Sequence, residues 1–305
     1  TVRTLRKIDH TIRSVFYLPE ERVDLLHQKK DFLSISSEAA FFYLALFRVL
    51  KKLSLPFRSS NPTWIKKPKS PDKRKRFSPN FIYQAFVQEI DELLELLRQD
   101  VQFSGPFGET VLGISDSRNL PLEKEVIDAV ITSPPYCTRI DYAVLTRLEL
   151  ALLGYDDDCL TSLRKKMIGS PLTHTSAPEI EPSWGKTCLE VVHKIHDHNS
   201  KASKTYYRRT YLQYFHALYQ SLKEIDRVLK SNGRCAFVVQ NSYYKDIYVD
   251  LGTIVSEMGE SLKWQITHQF DYEAKQSMLW INTKSNKYRD DTRGKEIVLF
   301  FQKGG

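Results

Sequence analysis

The chain has 305 residues, and 45 Lys and Arg against 37 Asp and Glu give it a formal charge of +8. Its content of 41% hydrophobic and 12% aromatic residues is typical of a folded protein and excludes the disordered and fibrous classes. Charged residues interrupt every apolar run before the roughly 18 residues that a membrane span needs. We therefore expect a soluble, cytoplasmic protein whose positive charge favours a polyanionic partner.

The first residue and the cysteines carry less information. The first residue is Thr1 instead of Met, which fits either removal of an initiator Met or a fragment of a longer chain. No Cys-x-x-Cys pair is present, which argues against a disulfide framework and a zinc site and predicts reduced thiols. The four cysteines are Cys137, Cys159, Cys188 and Cys235.

Residues 1–105 are predicted to form a helical region, because apolar residues recur at helical spacing. Ser37 is the predicted cap of a helix that runs from Glu38 to about Lys52. Ser78 followed by Pro79 predicts a second helix start, because proline is favoured at the first helical position.

A proline-containing basic linker, at about residues 56–78, separates these two helices. From Trp64 to Phe77 it has seven positive charges and one acid, Asp72. Such a run is either a solvated linker or a surface that neutralises DNA phosphates, and the net charge of the chain favours the second interpretation. The predicted DNA-binding residues are Lys66, Lys67, Lys69, Lys73, Arg74, Lys75 and Arg76.

From about residue 110, short β-rich runs alternate with helical patterns, which predicts an α/β architecture. We expect a mainly parallel sheet in which Val126–Thr132 is an interior strand, preceded by a strand at Thr110–Ile114. The helical pattern of Arg208–Lys230 is predicted to stop at Ser231-Asn232-Gly233. The later predicted strands are Cys235–Gln240 and an antiparallel terminal hairpin of Trp264–Phe270 and Glu296–Gln302, joined by a long polar loop.

Residues 155–205 are polar and are predicted to be irregular. The spacing of His193, His196 and His198 places them on different helix faces, so we expect surface histidines and no metal site. Lys201, Lys204, Arg208 and Arg209 alternate with Tyr206 and Tyr207, and they form either part of a DNA groove or the exposed start of a helix.

The most informative stretch is the end of the predicted strand, Thr132-Ser133-Pro134-Pro135-Tyr136. Two consecutive prolines favour a stiff loop whose carbonyls have no competing local amide donors. The Ser133 side chain and the Pro134 carbonyl would accept the hydrogens of an exocyclic amine on a nucleobase, and Tyr136 would stack on the extruded base. The alternative is an ordinary strand-to-loop turn. Cys137 follows Tyr136 instead of a proline, so we interpret it as a buried or incidental cysteine.

On these residues the chain resembles the amino-group DNA methyltransferases, which modify cytosine N4 or adenine N6 with S-adenosylmethionine. Thr132–Tyr136 looks like the family's Ser-Pro-Pro-Tyr motif, and Gly113–Arg118 is similar to the motif that precedes it. The resemblance covers about residues 110–303. Further segments that match the family pattern are Arg139–Tyr142, Arg147–Glu149, Arg227–Leu229 and Gly233-Arg234.

The resemblance implies a Rossmann-like S-adenosylmethionine-dependent methyltransferase sheet at residues 106–303, with an insertion at about 155–205 that contacts DNA. It implies double-stranded DNA as partner, no membrane, and a setting in restriction-modification or phage defence. The serine favours cytosine N4 over adenine N6. The implied catalytic residues are Ser133, Pro134, Pro135 and Tyr136, and the implied cofactor-binding residues are Asp116, facing the cofactor's adenine, and Thr132.

Two parts of the family pattern are not visible: the glycine-rich turn after the first strand and the ribose-binding acid after the second. The nearest candidate, Phe103–Gly108, precedes a strand and is interpreted as a plain loop. We therefore expect a second protein chain, or an absent N-terminal part, to complete the cofactor pocket. The alternative is a non-catalytic DNA-binding or scaffolding subunit derived from the same fold.

Overall fold

The computed structural model describes residues 1–18, 36–57, 59, 65–66, 68–100, 108, 111, 113–137, 141–172, 176–273 and 295–304. The chain divides into two units. The helical unit comprises Thr1–Ile114 and Tyr142–Leu163, and the sheet unit comprises Ser115–Asp141 and Arg164–Gly305. No described helix is both long enough and apolar enough to cross a lipid bilayer.

The helical unit is built around three helices whose apolar faces meet in one core. Leu5 and Ile8 of the first helix, Leu46 and Val49 of the second, and Ile82 of the third are buried in this core. The helices are α1 (Val2–Val15), α2 (Ser37–Ser54) and α3 (Pro79–Asp100), followed by the short α4 (Tyr142–Leu145) and α5 (Arg147–Leu152) and by α6 (Asp157–Lys166), which is shared between the units.

The two predicted helix starts have different outcomes. The Ser78 start is confirmed, because α3 begins at Pro79 and the Phe81 N–H donates a hydrogen bond to Ser78 Oγ over 3.2 Å. The Ser37 cap is wrong by one residue. Ser36 is extended and accepts a hydrogen bond from the Ala39 N–H, so Ser37 is already helical. Adjacent serines have the same capping chemistry, and only the backbone conformation separates them.

The sheet unit has helices on one face of a four-stranded sheet. Its helices are α7 (Lys186–Asp197), α8 (Arg208–Val228) and α9 (Leu251–Ser261), with a π-helical turn at Ser203–Tyr207. Its strands are β1 (Ile127–Thr132), β2 (Leu229–Gln240), β3 (Ser242–Tyr244), β4 (Ile247–Val249), β5 (Trp264–Glu273) and β6 (Lys295–Lys303). The sheet order is β1-β2-β6-β5, and β3 and β4 form a separate hairpin.

The sheet confirms the predicted terminal hairpin and corrects two other expectations. β5 pairs with β6 in antiparallel register, and the polar loop predicted between them lies outside the described residues. The expectation of a mainly parallel sheet is wrong for the described strands, since only β1 and β2 pair in parallel. β1 also lies at the edge of this sheet, with β2 as its neighbour in the described part of the chain, instead of in the interior.

Three further local predictions need correction. The described residues Val111, Gly113 and Ile114 are not in a strand, and the rest of that predicted strand lies outside the described residues. α8 ends at Val228 and β2 begins at once, because Leu229 already pairs with Ile127 of β1. The residues predicted to stop the helix, Ser231-Asn232-Gly233, instead form a bulge in β2, where Asn232 has a φ of 61°. The segment 155–205, predicted to be irregular, contains α6 and α7.

The two faces of the sheet differ in burial. Phe237, Leu299 and Phe301 are buried under α7, α8 and α9. On the opposite face Ile131 of β1 is 86% exposed and Phe270 of β5 is 48% exposed. We call this second side the open face. The strand register places two rows on it, Ile131-Ala236-Phe300-His268 and Val238-Val298-Phe270.

Candidate active site

The Ser-Pro-Pro-Tyr loop, Ser133–Tyr136, starts where the two parallel strands of the sheet lie side by side. β1 ends at Thr132, which is paired with Phe237 of β2. The loop therefore leaves the sheet at the carboxyl ends of parallel strands, which is the edge where open α/β sheets bind ligands.

Three hydrogen bonds fix this loop to elements that are distant in sequence. Ser133 Oγ donates to the Val238 carbonyl of β2 over 3.1 Å. The Tyr214 hydroxyl of α8 donates to the Pro135 carbonyl over 2.7 Å. The Tyr136 hydroxyl lies 3.4 Å from a carboxylate oxygen of Glu296, at the start of β6. The loop is therefore held by the sheet at both ends and by α8 in the middle.

These bonds determine which loop oxygens remain able to accept a hydrogen bond. The hydroxyl proton of Ser133 is committed to Val238, so its Oγ can act toward another group only as an acceptor. The Pro135 carbonyl already accepts from Tyr214, whereas no described residue donates to the Pro134 carbonyl. Ser133 is exposed and Pro134 is half-buried. The loop thus has two adjacent acceptors within reach of a ligand.

A cavity of about 300 Å³ is lined by two residues that neighbour this loop, Gly169 and Tyr214, although no residue of the loop itself lines it. Gly169 lines it and has a φ of 77°, a left-handed conformation that favours glycine. A Cβ atom at Gly169 would lie 3.6 Å from Pro135 Cβ and 3.8 Å from Tyr214 Cδ2. Tyr214 and Arg118 line the same cavity. The residue that anchors Pro135 and the residue that binds Asp116 therefore share one cavity.

Asp116 is held by Arg118 two residues later. The Arg118 backbone N–H and Nε donate to Asp116 Oδ1 over 3.0 and 2.8 Å, and Nη2 donates to Oδ2 over 2.6 Å. Partial burial acts to raise the pKa of Asp116, but the hydrogen bonds and the positive charge of Arg118 outweigh it and lower that pKa. The carboxylate is therefore ionised near neutral pH. Each oxygen has a second lone pair, and Oδ2 retains room for a further donor.

The two residues expected to bind the cofactor, Asp116 and Thr132, are not brought together by a hydrogen bond or by the cavity described above. No hydrogen bond joins Thr132 to Asp116, and neither residue lines the 300 Å³ cavity. The described residues also provide no glycine turn that follows a strand at the carboxyl edge of β1. Taken alone, they do not fit an enclosed site for S-adenosylmethionine.

The basic linker is exposed to solvent. Lys66, Lys69 and the run Lys73–Arg76 are exposed and form no ion pair with any residue that the structure describes. Lys67 lies outside the described residues. A short 3-10 turn at Pro71–Lys73 shapes the middle of this segment.

The other family-like segments are described in part. Arg139 and Ile140 lie outside the described residues, as does Phe103–Gly108 except for Gly108. Asp141 is 5% exposed and forms an ion pair with Arg164 over 2.7 Å. Arg227 binds Glu224 and the carbonyls of Leu120 and Leu122, so this motif ties α8 to the segment that precedes β1.

Sequence reasoning missed three residues that contact the loop. In the sequence, Tyr214 lies within the helical pattern of Arg208–Lys230, and Glu296 is the first residue of a predicted strand. Gly169 carried no signal beyond being a glycine in a polar segment. A buried tyrosine needs a partner for its hydroxyl, and this is the signal that would have drawn attention to Tyr214, which is 3% exposed.

The histidines and cysteines form no catalytic cluster in the described part of the chain. No group of three or more His, Cys, Asp or Glu is placed to hold a metal ion there. His196 pairs with Asp197, and His198 pairs with Asp246. All four cysteines are free, and Cys137, Cys188 and Cys235 are buried. Burial raises the pKa of Cys235 to about 12, so this thiol is unreactive.

Comparison with known proteins finds similar relatives that are named as type II methyltransferases. M.AvaI of Nostoc sp. is 28% identical over 156 residues, which cover 47% of this chain and 32% of the relative. M.MvaI of Kocuria varians is 24% identical over 255 residues, which cover 76% of this chain and 54% of the relative. M.BsoBI of Geobacillus stearothermophilus is 42% identical over 55 residues, or 18% of this chain and 11% of the relative.

The chain spans about a third of the length of M.AvaI and about half that of M.MvaI. The model of one protein family, described as DNA methylase and covering N6 and N4 methyltransferases, matches residues 127–305. This match includes the Ser-Pro-Pro-Tyr loop, both strands that flank it and more than half of the chain. The chain therefore belongs to the N6 and N4 DNA methylase family.

Proposed function

We propose that the chain is the catalytic part of a DNA methyltransferase that transfers a methyl group from S-adenosylmethionine to the exocyclic amino group of an extruded base. The observation that carries this proposal is the fixed Ser-Pro-Pro-Tyr loop, in which Ser133 Oγ and the Pro134 carbonyl remain able to accept hydrogen bonds while Pro135 is engaged by Tyr214.

The two acceptors perform the central chemical task. The lone pair of an exocyclic amine is delocalised into the base, which makes the nitrogen a weak nucleophile. Acceptors that hold both amine hydrogens favour a pyramidal nitrogen and stabilise the positive charge that develops as the nitrogen attacks. The amine itself would attack the methyl group as the bond from that methyl to the cofactor's sulfur breaks, and it would then lose one proton, so no protein nucleophile is needed. Alignment by a rigid loop supplies much of the remaining rate enhancement.

Tyr136 would hold the extruded base. A base that leaves the duplex loses its stacking energy, and an aromatic side chain replaces part of it. The Tyr136 ring is half-buried, and its hydroxyl lies 3.4 Å from Glu296. This contact limits rotation of the ring and supports its role as a platform beside the two acceptors.

We propose cytosine N4 as the preferred target over adenine N6. The support is the serine at the first position of the loop, since the resemblance associates Ser133 with cytosine and an acidic residue or Asn with adenine. Restriction-modification or phage defence is the proposed setting, supported by the type II names of the similar methyltransferases. A cytoplasmic location is proposed because all four cysteines are free.

The cofactor pocket would be completed by further polypeptide, either a second chain or residues outside this sequence. The edge of β1 opposite β2 has no partner strand in the described part of the chain, and an unpaired edge is a template for pairing. The carboxyl end of that edge lies beside Thr132. A parallel strand added there would bring its glycine turn next to the Ser-Pro-Pro-Tyr loop.

The open face of the sheet supports the same proposal. Ile131 is 86% exposed at the edge, and Phe270 and Tyr272 of β5 are 48% and 55% exposed. A contiguous exposed apolar surface marks an interaction site. Helices that accompany the added strand would cover this face.

The proposed domains follow from these assignments. The methyltransferase region comprises residues 106–303, with Asp116 and Thr132 as cofactor contacts. The helical region comprises residues 1–105, and its basic linker contacts DNA through the lysines and arginines between Lys66 and Arg76. The segment at about 155–205 is the proposed second DNA contact.

The test is nucleoside mass spectrometry on plasmid DNA from cells that express the chain together with a candidate partner carrying a glycine-rich strand-turn-helix. N4-methylcytosine that disappears in the Ser133→Ala variant is expected. N6-methyladenine alone would overturn the choice of base. DNA binding without any methylated base, in a complex that binds S-adenosylmethionine, would favour the non-catalytic subunit.

A further inference from the structure

The first helix of the chain has a basic face that the DNA-binding prediction did not include. Arg3, Arg6, Lys7 and His10 of α1 are exposed and lie three or four residues apart, so they share one face of the helix. Leu5, Ile8 and Ile12 on the opposite face are buried in the core. The orientation of the basic face toward solvent is therefore fixed by the packing of the helix.

These side chains line a groove between two helices of the same unit. The groove has a volume of about 610 Å³, and Tyr83 of α3 forms its other side. Tyr83 is 43% exposed. The lining contains no acidic residue. The groove therefore combines cationic groups on one wall with a phenolic hydroxyl on the other.

No acidic group in the described part of the chain neutralises this face. Arg3, Arg6 and Lys7 form no ion pair there. Asp9, the acid of α1, is buried on the other side, where it binds Arg13 over 3.0 Å and accepts a hydrogen bond from Tyr43 over 2.8 Å. The positive charge of the groove is thus available to an external anion.

The basic linker ends beside the start of α1, the helix that forms one wall of the groove. The Phe77 N–H, directly after Arg76, donates a hydrogen bond to Thr1 Oγ1 over 2.9 Å. The exposed run Lys73–Arg76 consequently ends at the first turn of α1. Phe77 also stacks on Phe81 with ring centroids 5.5 Å apart, which fixes the junction. Two basic segments that are about 70 residues apart in sequence therefore meet at the start of α1.

The groove matches the charge and spacing of a nucleic-acid backbone. From Arg3 to His10 the row extends about 10 Å along the helix axis, at about 1.5 Å per residue. This length equals the axial rise of about three phosphates on one strand of duplex DNA. Arginine and lysine neutralise phosphates, and tyrosine hydroxyls are common phosphate donors.

We infer that the groove between α1 and α3 binds the phosphate backbone of duplex DNA, and that it extends the contact of the basic linker. This inference rests on the proposed function for the identity of the polyanion. The groove positions the duplex and does not read its sequence, because phosphate contacts carry no base information.

The experiment measures the affinity of the full chain for labelled duplex DNA over a range of salt concentrations. The groove variant is Arg3→Gln with Arg6→Gln and Lys7→Gln, which keeps helix propensity and removes three charges. The control removes three exposed charges outside the groove by Lys51→Gln, Arg98→Gln and Lys263→Gln. Circular dichroism confirms that both variants are helical before their affinities are compared.

A plot of log affinity against log salt has a negative slope. The groove variant is expected to make this slope shallower by about 2.7, at about 0.9 for each phosphate that is no longer neutralised. The control is expected to leave that slope within about 0.5 of the wild-type value. An equal loss in both variants would assign the effect to net charge and overturn the inference. So would an unchanged slope in the groove variant, or tighter groove-dependent binding to phosphatidylserine vesicles than to DNA.

A methyl-transfer assay with the wild-type complex separates the two proposals. If the wild-type complex transfers methyl groups but the salt slope of the groove variant is unchanged, the inference about the groove is overturned and the proposed catalytic function stands. A reduced slope in that variant, together with a complex that methylates no base, supports the groove and overturns the proposed catalytic function.

Discussion

The Tyr214 hydroxyl donates a hydrogen bond to the Pro135 carbonyl over 2.7 Å, although the two residues are 79 positions apart in sequence. This bond joins the middle of α8 to the centre of the Ser-Pro-Pro-Tyr loop. It also occupies the Pro135 oxygen, so that the neighbouring Pro134 carbonyl and Ser133 Oγ are the acceptors left for a ligand. Helix packing in the core thereby determines which atoms of the loop can act.

Replacing Tyr214 with Phe should lower methyl transfer by the assembled enzyme. The ring would remain packed, but the Pro135 carbonyl would lose its donor and compete for the substrate amine. Loss of one partner of a buried hydrogen bond costs about 1 to 3 kcal/mol of stability. Steady-state kinetics and urea unfolding measure the two effects. The matched control is Tyr219→Phe on the same helix, which removes a hydroxyl contact of 3.1 Å with Ser261. Equal activity in the two variants would contradict the role of Tyr214.

Tyr136→Ala and Ser133→Ala should each abolish or strongly reduce methyl transfer without unfolding the chain. Removing the aromatic ring should weaken the hold on the extruded base by about 1 to 3 kcal/mol, or roughly 5- to 150-fold. Fluorescence of 2-aminopurine at the target position reports the extruded base. Tyr136→Phe keeps the ring and should retain extrusion. Wild-type turnover in either alanine variant would remove the base-pocket assignment.

Glu224 should make the free energy of unfolding of the sheet unit depend on pH. Its carboxylate binds Arg227 and accepts the Leu120 N–H over 2.7 Å. The hydrogen bond from Arg227 is the main reason that the pKa of Glu224 is lowered in the folded chain. A lowered pKa stabilises the fold above the unfolded value of about 4.3, and this stability is lost as the pH falls through the folded pKa.

Urea unfolding between pH 3 and pH 7 measures this dependence. Glu224→Gln should cost about 1.5 to 3 kcal/mol at pH 7. This cost should shrink as the pH falls through the lowered pKa of Glu224 and the wild-type carboxyl becomes protonated. The exposed acid Glu260 provides the control, because its carboxylate has no hydrogen-bond partner among the described residues, so Glu260→Gln should leave the free energy of unfolding at pH 7 close to the wild-type value. A Glu224→Gln curve parallel to the wild-type curve would contradict the linkage.

Replacing Lys73, Arg74, Lys75 and Arg76 with Ala should weaken DNA binding about equally on all sequences. The four side chains are exposed and have no acidic partner in the described part of the chain. Each phosphate that loses its cationic partner should make the negative slope of log affinity against log salt shallower by about 0.9. Affinities for two unrelated duplexes over a salt series provide the measurement. If the slope does not change, the run is a solvated linker.

The isolated chain should bind S-adenosylmethionine weakly or not at all. Neither Asp116 nor Thr132 lines the 300 Å³ cavity, and a ligand contacted from one side forfeits much of the burial that small-molecule sites provide. Isothermal titration calorimetry on the chain with and without its partner tests this. Binding and methyl transfer should appear together when the partner is added. Tight stoichiometric binding to the chain alone would show that it holds the cofactor in a way that the described residues do not reveal.

The sequence alone was sufficient for features that depend on neighbouring residues. Ser78 and Pro79 predicted the start of α3, because capping and the fixed φ of proline act within one turn. Trp264–Phe270 and Glu296–Gln302 predicted the terminal hairpin through their apolar β-rich composition. The position of the Ser-Pro-Pro-Tyr loop after a strand was predicted in the same way. The off-by-one cap at Ser36 and the early end of α8 show where local signals lose precision.

Only the tertiary structure decided which groups meet around these elements. The edge position of β1 depends on which strands pair, and strand pairing is a long-range choice that composition does not encode. The contacts of the loop with Tyr214 and Glu296 join residues 79 and 160 positions apart. The basic groove requires α1 and α3 to pack together, and the meeting of the linker with the start of α1 depends on the bond from Phe77 to Thr1. Periodicity reports which face of an element is buried, whereas packing determines which element covers that face and which oxygen of a loop remains available for chemistry.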